Sequence, residues 1–437
     1  MKKDFLKSIM ALFAGALISF SLVACGDEST DNSGNNGNNN TEQPENENPV
    51  ADGDVMTPEQ QKQKLEAVAK QFLSYVKASD FTDVRDLAKD LKTKYDGVEP
   101  SEDLGQWWNK TLDNITTYIG GGEFYSEYQR LYSAAQVKGH FTISNGQWIR
   151  TEANDLQISL KDSQGRDCVA TLTTSGSTKK LFVGEDTDRE YNNYNYFDYI
   201  YNNYVNVPQN INLVATVGGQ QWVNVTLTTD LSQVSEMVDL TKDRASVTMN
   251  ATVKSFNINL TRAVYQAQGQ AAVALTLKKD NTQLLSVNVE GSTKVSGSSE
   301  SPKLAGGNIS NMNVDVLGQV QAKGNVDITA IMNETDGEIS DEATARQVAE
   351  KISSHLKNIG IYYDNGETRR AWLGAAATQH NKSYNPYWSV GAVICFQDGT
   401  KYKFDDYFEE TNWQSVINIA NQIADDFNNL INSLNVR

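Results

Sequence analysis

Only three histidines, His140, His355 and His380, occur in the 437 residues, and no two stand at a metal-ligand spacing. That distribution argues against zinc hydrolysis through a histidine cluster. His355 falls in a helical stretch beside Ser353 and Ser354, the setting of a surface or satisfied imidazole. The chain has no Gly-x-Ser-x-Gly elbow, no phosphate loop and no dinucleotide fingerprint. Gly120-Gly121-Gly122 is followed by no lysine and reads as a helix breaker. Cys168 and Cys395 fall on strand-like segments beside apolar residues, where small buried thiols are common. Neither has a recognisable histidine or electropositive partner to activate it, and a disulfide between them is the alternative. Paired carboxylates such as Asp405-Asp406, Glu409-Glu410 and Asp425-Asp426 could hydrolyse a glycoside if held at the proper separation. Their abundance makes them uninformative. Gly184 to Glu190, with Asp186 and Asp188, is oxygen-rich but lacks the twelve-residue calcium pattern. No catalytic residue, metal ligand or cofactor is assigned.

One segment stands out for binding. Residues 191 to 204 hold six of the nineteen tyrosines, Tyr191, Tyr194, Tyr196, Tyr199, Tyr201 and Tyr204, interleaved with Asn and Asp. Tyrosine offers a flat apolar face with a polar edge, and asparagine both donates and accepts, a mixture suited to a glycan or a protein surface. The competing reading is a helix or irregular connection whose rings pack over a sheet.

Location is more legible than chemistry. Lys2, Lys3 and Lys7 precede an apolar run from Ile9 that ends in Leu22-Val23-Ala24-Cys25. The run is short for a membrane span and is followed by strongly polar sequence. This pattern resembles a bacterial lipoprotein signal with its lipobox. The resemblance implies cleavage after Ala24, acylation of Cys25, and attachment to a lipid bilayer through more than one chain. Gly26-Asp27-Glu28 is similar to the acidic export signal of Bacteroidetes surface lipoproteins, without its usual serine or lysine lead, and implies the outer-membrane surface, with a periplasm-facing position as the alternative. Loss of Lys2, Lys3, Lys7 and Asp4 takes the formal charge from −17 to −19. Such an acidic chain lacks the basic patches that bind nucleic acid. Its expected partners are the bilayer and an envelope protein or glycan.

Residues 26 to 56 carry eight Asn and eight Asp or Glu with almost nothing apolar, a composition that cannot offset the entropy of ordering and reads as a tether. Thr57-Pro58-Glu59-Gln60 is a capping box that opens a helix with Leu65, Val68, Ala69, Phe72, Leu73 and Val76 on one stripe. A second helix carries Val84, Leu87 and Leu91, and a third is expected from Trp107 to Ile119. From His140 to Ala330 the period changes to two. Val247, Met249, Ala251 and Val253 share one face, and the slip of phase at Lys254-Ser255 reads as a bulge or bend. Hairpins are expected at 162–165, 218–219 and 280–281, and could be variants of one repeated unit. Ser292 to Ser310 reads as a loop or inter-domain crossing. Ser340 is the expected cap of a helix bearing Ala345, Val348, Ala349, Ile352 and Leu356. Two further hairpins follow at 364–366 and 397–399, and a capping box at Thr411 to Gln414 opens a closing helix.

The fold class expected is α+β: a large twisted antiparallel β-meander, curled like a half-barrel and backed by N-terminal and C-terminal helices. Its parts are a signal peptide over 1–24, the lipidated cysteine and tether over 25–56, helices and antiparallel sheet over 57–295, and a sheet-and-helix portion over 310–437. The functional expectation is a noncatalytic, membrane-anchored envelope lipoprotein with a binding or structural role. The alternatives are a surface glycan hydrolase and a lipid carrier with an apolar cavity.

Overall fold

The computed structural model describes residues 55–115, 117–120, 128–133, 136–192, 195–298, 301–335, 339–380, 387–408 and 413–432. Three helices come first: α1 (Pro58–Tyr75), α2 (Thr82–Tyr95, preceded by a 3₁₀ turn at Ala78–Phe81) and α3 (Glu102–Ile115). Strands β1 (Thr117–Gly120), β2 (Tyr128–Tyr132), β3 (Gly139–Ser144), β4 (Gln147–Thr151), β5 (Leu156–Lys161), β6 (Asp167–Asn192) and β7 (Asn195–Val217) follow. Next come β8 (Gln220–Asp230), β9 (Arg244–Val253), β10 (Phe256–Gln266), β11 (Gln270–Lys279), β12 (Thr282–Gly297), β13 (Pro302–Val316) and β14 (Val320–Asp327). The chain then runs through α4 (Ile328–Thr335), α5 (Glu342–Leu356), β15 (Gly360–Tyr363), β16 (Ala371–His380), β17 (Tyr387–Phe396), β18 (Lys401–Lys403), α6 (Phe404–Tyr407) and α7 (Gln414–Asn432). The fold is α+β, a large, predominantly antiparallel sheet flanked by helices, as the alternating sequence requires. No pairing among the described residues closes it into a barrel.

The described residues form two compact units, one drawn from residues 1–78, 282–294 and 304–429, the other from 79–281, 295–303 and 430–437. In the first unit, α1 starts at the expected capping box: Thr57 Oγ1 accepts from the Gln60 amide at 3.3 Å, and Gln60 Oε1 accepts from the Thr57 amide at 2.9 Å. Its buried Ala69 and Leu73 join Ala371 of β16, Ile394 and Phe396 of β17, and Trp413, Ile417 and Ala420 around α7 in one core. Polar groups inside are paired. Gln61, wholly buried, donates to the carbonyls of Arg370 (3.0 Å) and Met56 (3.2 Å) and accepts from the Tyr363 hydroxyl (3.3 Å). Burial raises the pKa of Tyr363 and Tyr407 well above that of a free phenol. Helix α5 is pinned to β16 by Ser353, whose hydroxyl accepts from the Ala375 amide and donates to its carbonyl.

The second unit is built on an antiparallel run β5-β6-β7-β8-β9-β10-β11. β3 joins β5 in parallel, and β2 joins β7 in parallel. Helix α2 crosses the hairpin ends. At its start, Phe81 stacks on Phe256 and Lys279 lies 2.5 Å from Asp80. At its end, Lys94 and Tyr95 donate to the Lys161 carbonyl and Asp90 accepts from the Ser163 amide. Fourteen helical residues span about 21 Å, close to the width of the strands between these two hairpins.

Several expectations fail for identifiable reasons. Lys254-Ser255 is the two-residue turn between β9 and β10, with Lys254 at φ 55°, so the change of parity marks a hairpin; the bulge lies beyond Leu260. Residues 292–310 are mostly strand, with Pro302 at the first position of β13. The glycines there serve close approach, since a Cβ at Gly291 or Gly307 would strike the carbonyl oxygen of Asn308 or Ser292. The third helix ends at Ile115, and residues 117–120 pair with β2 as a strand. Asp341, not Ser340, caps α5, accepting from the Thr344 amide at 2.8 Å. Asp186 and Asp188 lie in the extended strand β6. Pro208 sits inside β7 next to a register shift, where a missing donor is tolerated. Cys168 and Cys395, by contrast, are buried as expected and are not joined in a disulfide, and burial pushes the Cys168 pKa up. The capping box at Thr411 and the tether, including Cys25, lie outside the described residues.

Candidate functional site

Strand register turns the alternation of the second unit into two faces of opposite chemistry. Leu156, Leu172, Leu213, Val225, Ala251, Ile258 and Leu277 stand opposite one another in sequence from β5 to β11, giving an unbroken aliphatic row. A parallel row of Ile211, Leu227, Met249, Leu260 and Leu275 lies next to it. A further row of Ile158, Ala170, Ala215, Val223, Val253 and Phe256 lies on the side nearer α2 and ends at Lys279. The other face carries Thr and Asn, joined across strands by Thr226 to Asn212 (3.2 Å), Thr228 to Asn210 (3.1 Å) and Asn257 to Asn250 (2.9 Å).

The apolar face is only partly covered. Of the four residues expected to be buried on β9, Ala251 is, whereas Val247, Met249 and Val253 are half-buried. Ile258 (38 %), Val273 (41 %) and Ile158 (39 %) are exposed. Elements stand over its margins: α2 through Phe81 on Phe256, α3 through Trp107 against Phe141 at 5.7 Å, and the 231–243 connection through the Tyr265 hydroxyl bonded to the Leu240 carbonyl. The result is an aliphatic floor between raised rims.

The tyrosine-rich segment is neither a helix nor an irregular connection. Its described residues form the distal half of the β6–β7 hairpin, whose strands are 26 and 23 residues long. In the register Tyr199 and Tyr201 stand opposite Asp188 and Asp186, Tyr191 opposite Tyr196, and Tyr204 opposite Phe182, and alternation along β7 puts Tyr201 and Tyr204 on opposite faces. Tyr194 and the side chains of Tyr191, Tyr196 and Tyr199 lie outside the described residues. Tyr204 is buried, its ring edge-on to Phe182 at 5.7 Å. Tyr201 is half-buried beneath the Arg130 guanidinium, 3.6 Å from the ring centroid, and Arg130 also approaches Asp186 at 3.8 Å. Asn203 donates to Asp186 at 3.0 Å, while its own amide oxygen and that of Asn202 are buried without a hydrogen-bond partner. Arg130, which sequence reading did not single out, thus organises the root of the ribbon; only the parallel β2–β7 register brings it there.

The histidines are dispersed. His140 bonds to Asp155 at 2.9 Å, and His380 bonds to Ser389 at 2.8 Å and stacks on Tyr387. Among the described residues, no group of three or more His, Cys, Asp or Glu is placed to hold a metal ion, and no helix is long and apolar enough to cross a membrane. No protein-family model, curated protein or solved structure matches this chain.

Proposed function

We propose that this chain is a noncatalytic binding protein of a bacterial cell envelope, held to a membrane by an acylated Cys25. The observation that carries the reading is the run from Lys2 to Cys25 ending in Leu-Val-Ala-Cys, followed by some thirty polar residues before the capping box at Thr57. Such a tether lets the folded part stand several nanometres from the bilayer when extended. The long ribbon and the half-covered apolar face support a binding role, because both offer aromatic or aliphatic surface beyond what the core consumes. Metabolic labelling with a radioactive fatty acid tests the anchor. The wild type incorporates label and Cys25→Ala does not; a labelled mutant, or a mature protein that keeps residues 1–24, refutes it.

A further inference from the structure

We infer that the aliphatic floor of the second unit binds the acyl chain of a long-chain lipid. The inference names a ligand class for the binding role proposed above and rests on that reading. Seven strands about 4.8 Å apart make a row roughly 29 Å long from Leu156 to Leu277. One leaflet's acyl chains span about 15 Å in a bilayer, so a single chain lies along the row without leaving it. The Leu156–Leu277 row and the Ile211 row beside it contain no charged side chain, which suits an uncharged methylene chain, and Lys279 closes only the row nearer α2. Within the floor Ile158, Ile258 and Val273 are exposed, and Cys168 and Val217 at the hairpin end are buried.

A second copy of the chain fits less well. Three rows about 7 Å apart and roughly 29 Å long amount to some 600 Å², short of the roughly 800 Å² per partner of a stable interface. Helices α2 and α3 stand at the margins, and a helix about 10 Å thick blocks the face-to-face approach of another sheet. Two surfaces of formal charge −17 also repel.

The test uses the full chain carrying Cys25→Ser, so that no lipid is covalently attached, titrated with a fluorescent sixteen-carbon fatty acid. Saturable binding displaced by unlabelled palmitate is expected. Ile258→Glu and Val273→Glu, both at exposed floor positions, should each weaken it at least tenfold without moving the melting transition. Thr248→Glu, on the polar face, should leave it unchanged. Two floor variants are used so that misfolding of one does not decide the outcome. No saturable binding by the parent chain, or equal binding by folded floor variants, overturns the inference. A dimer that Ile258→Glu dissociates also overturns it, by assigning the floor to a second copy. The Cys25 labelling experiment reads the anchor independently, so either proposal can fail alone.

Discussion

Phe81 stacks on Phe256 with ring centroids 5.6 Å apart and planes inclined by 14°. The contact joins the turn before α2 to the first residue of β10, across more than 170 residues of sequence, and closes the hairpin end of the aliphatic floor. Lys279, opposite Phe256 in the register, reaches the same ring and bonds to Asp80. Phe81→Ala should therefore destabilise the second unit by about 1–3 kcal/mol, less than a fully buried phenylalanine because the ring is half-buried. Urea unfolding followed by tryptophan fluorescence checks this, and an unchanged midpoint would show that α2 is not held by the ring.

Gln61 is a polar side chain in an apolar core with both ends engaged. Gln61→Leu matches its size but strands the Arg370 carbonyl and the Tyr363 hydroxyl. A loss of about 1–3 kcal/mol is expected, measured by chemical denaturation. Gln61→Leu as stable as the parent chain would mean that water replaces the amide.

Two glycines give opposite signs. Gly291→Ala forces a methyl into the backbone of β13 and should cost about 1–3 kcal/mol or prevent folding of the first unit. Gly105→Ala lies inside α3 with open space around it and should stabilise by about 0.5–1 kcal/mol. Equal melting shifts for the two variants would contradict the strand geometry at 291.

Asp162 closes the β5–β6 turn. Its burial opposes ionisation, but the Arg166 side chain and the amides of Arg166 and Gln164 more than compensate and hold its pKa below the usual carboxylate value. A depressed folded-state pKa gives stability that is complete above the unfolded value, near 4, and lost as pH falls through the folded one. The melting temperature of Asp162→Asn should therefore lie below that of the parent at pH 7, with a gap that narrows below about pH 4. A gap constant from pH 7 to pH 3 would show that the loss is not ionic.

Local signals were strong wherever a segment satisfies its own backbone. The Thr57 box, the helical stripe from Val68 to Leu73 and the turns at Gly218-Gly219 and Asp364-Asn365-Gly366 were legible because capping and left-handed geometry depend on residues a few positions apart. The same locality misled at 292–310, where glycine and serine look alike whether they build a loop or let two backbones approach. It misled again at Lys254, where a change of parity is common to a bulge and a turn.

The sequence by itself determined the alternation that makes one side of each strand aliphatic and the other Thr or Asn, the capped start of α1 at Thr57, and the signal-like run ending at Cys25, because each is a property of neighbouring residues. Register between strands belongs to no single segment. Only the tertiary structure aligned Leu156, Ala251 and Leu277 into one row, placed Arg130 over Tyr201 through a parallel pairing, and set Tyr201 and Tyr204 on opposite faces of β7. A one-residue slip would have reversed every one of these assignments, and what prevents it is the summed burial of all the strands at once.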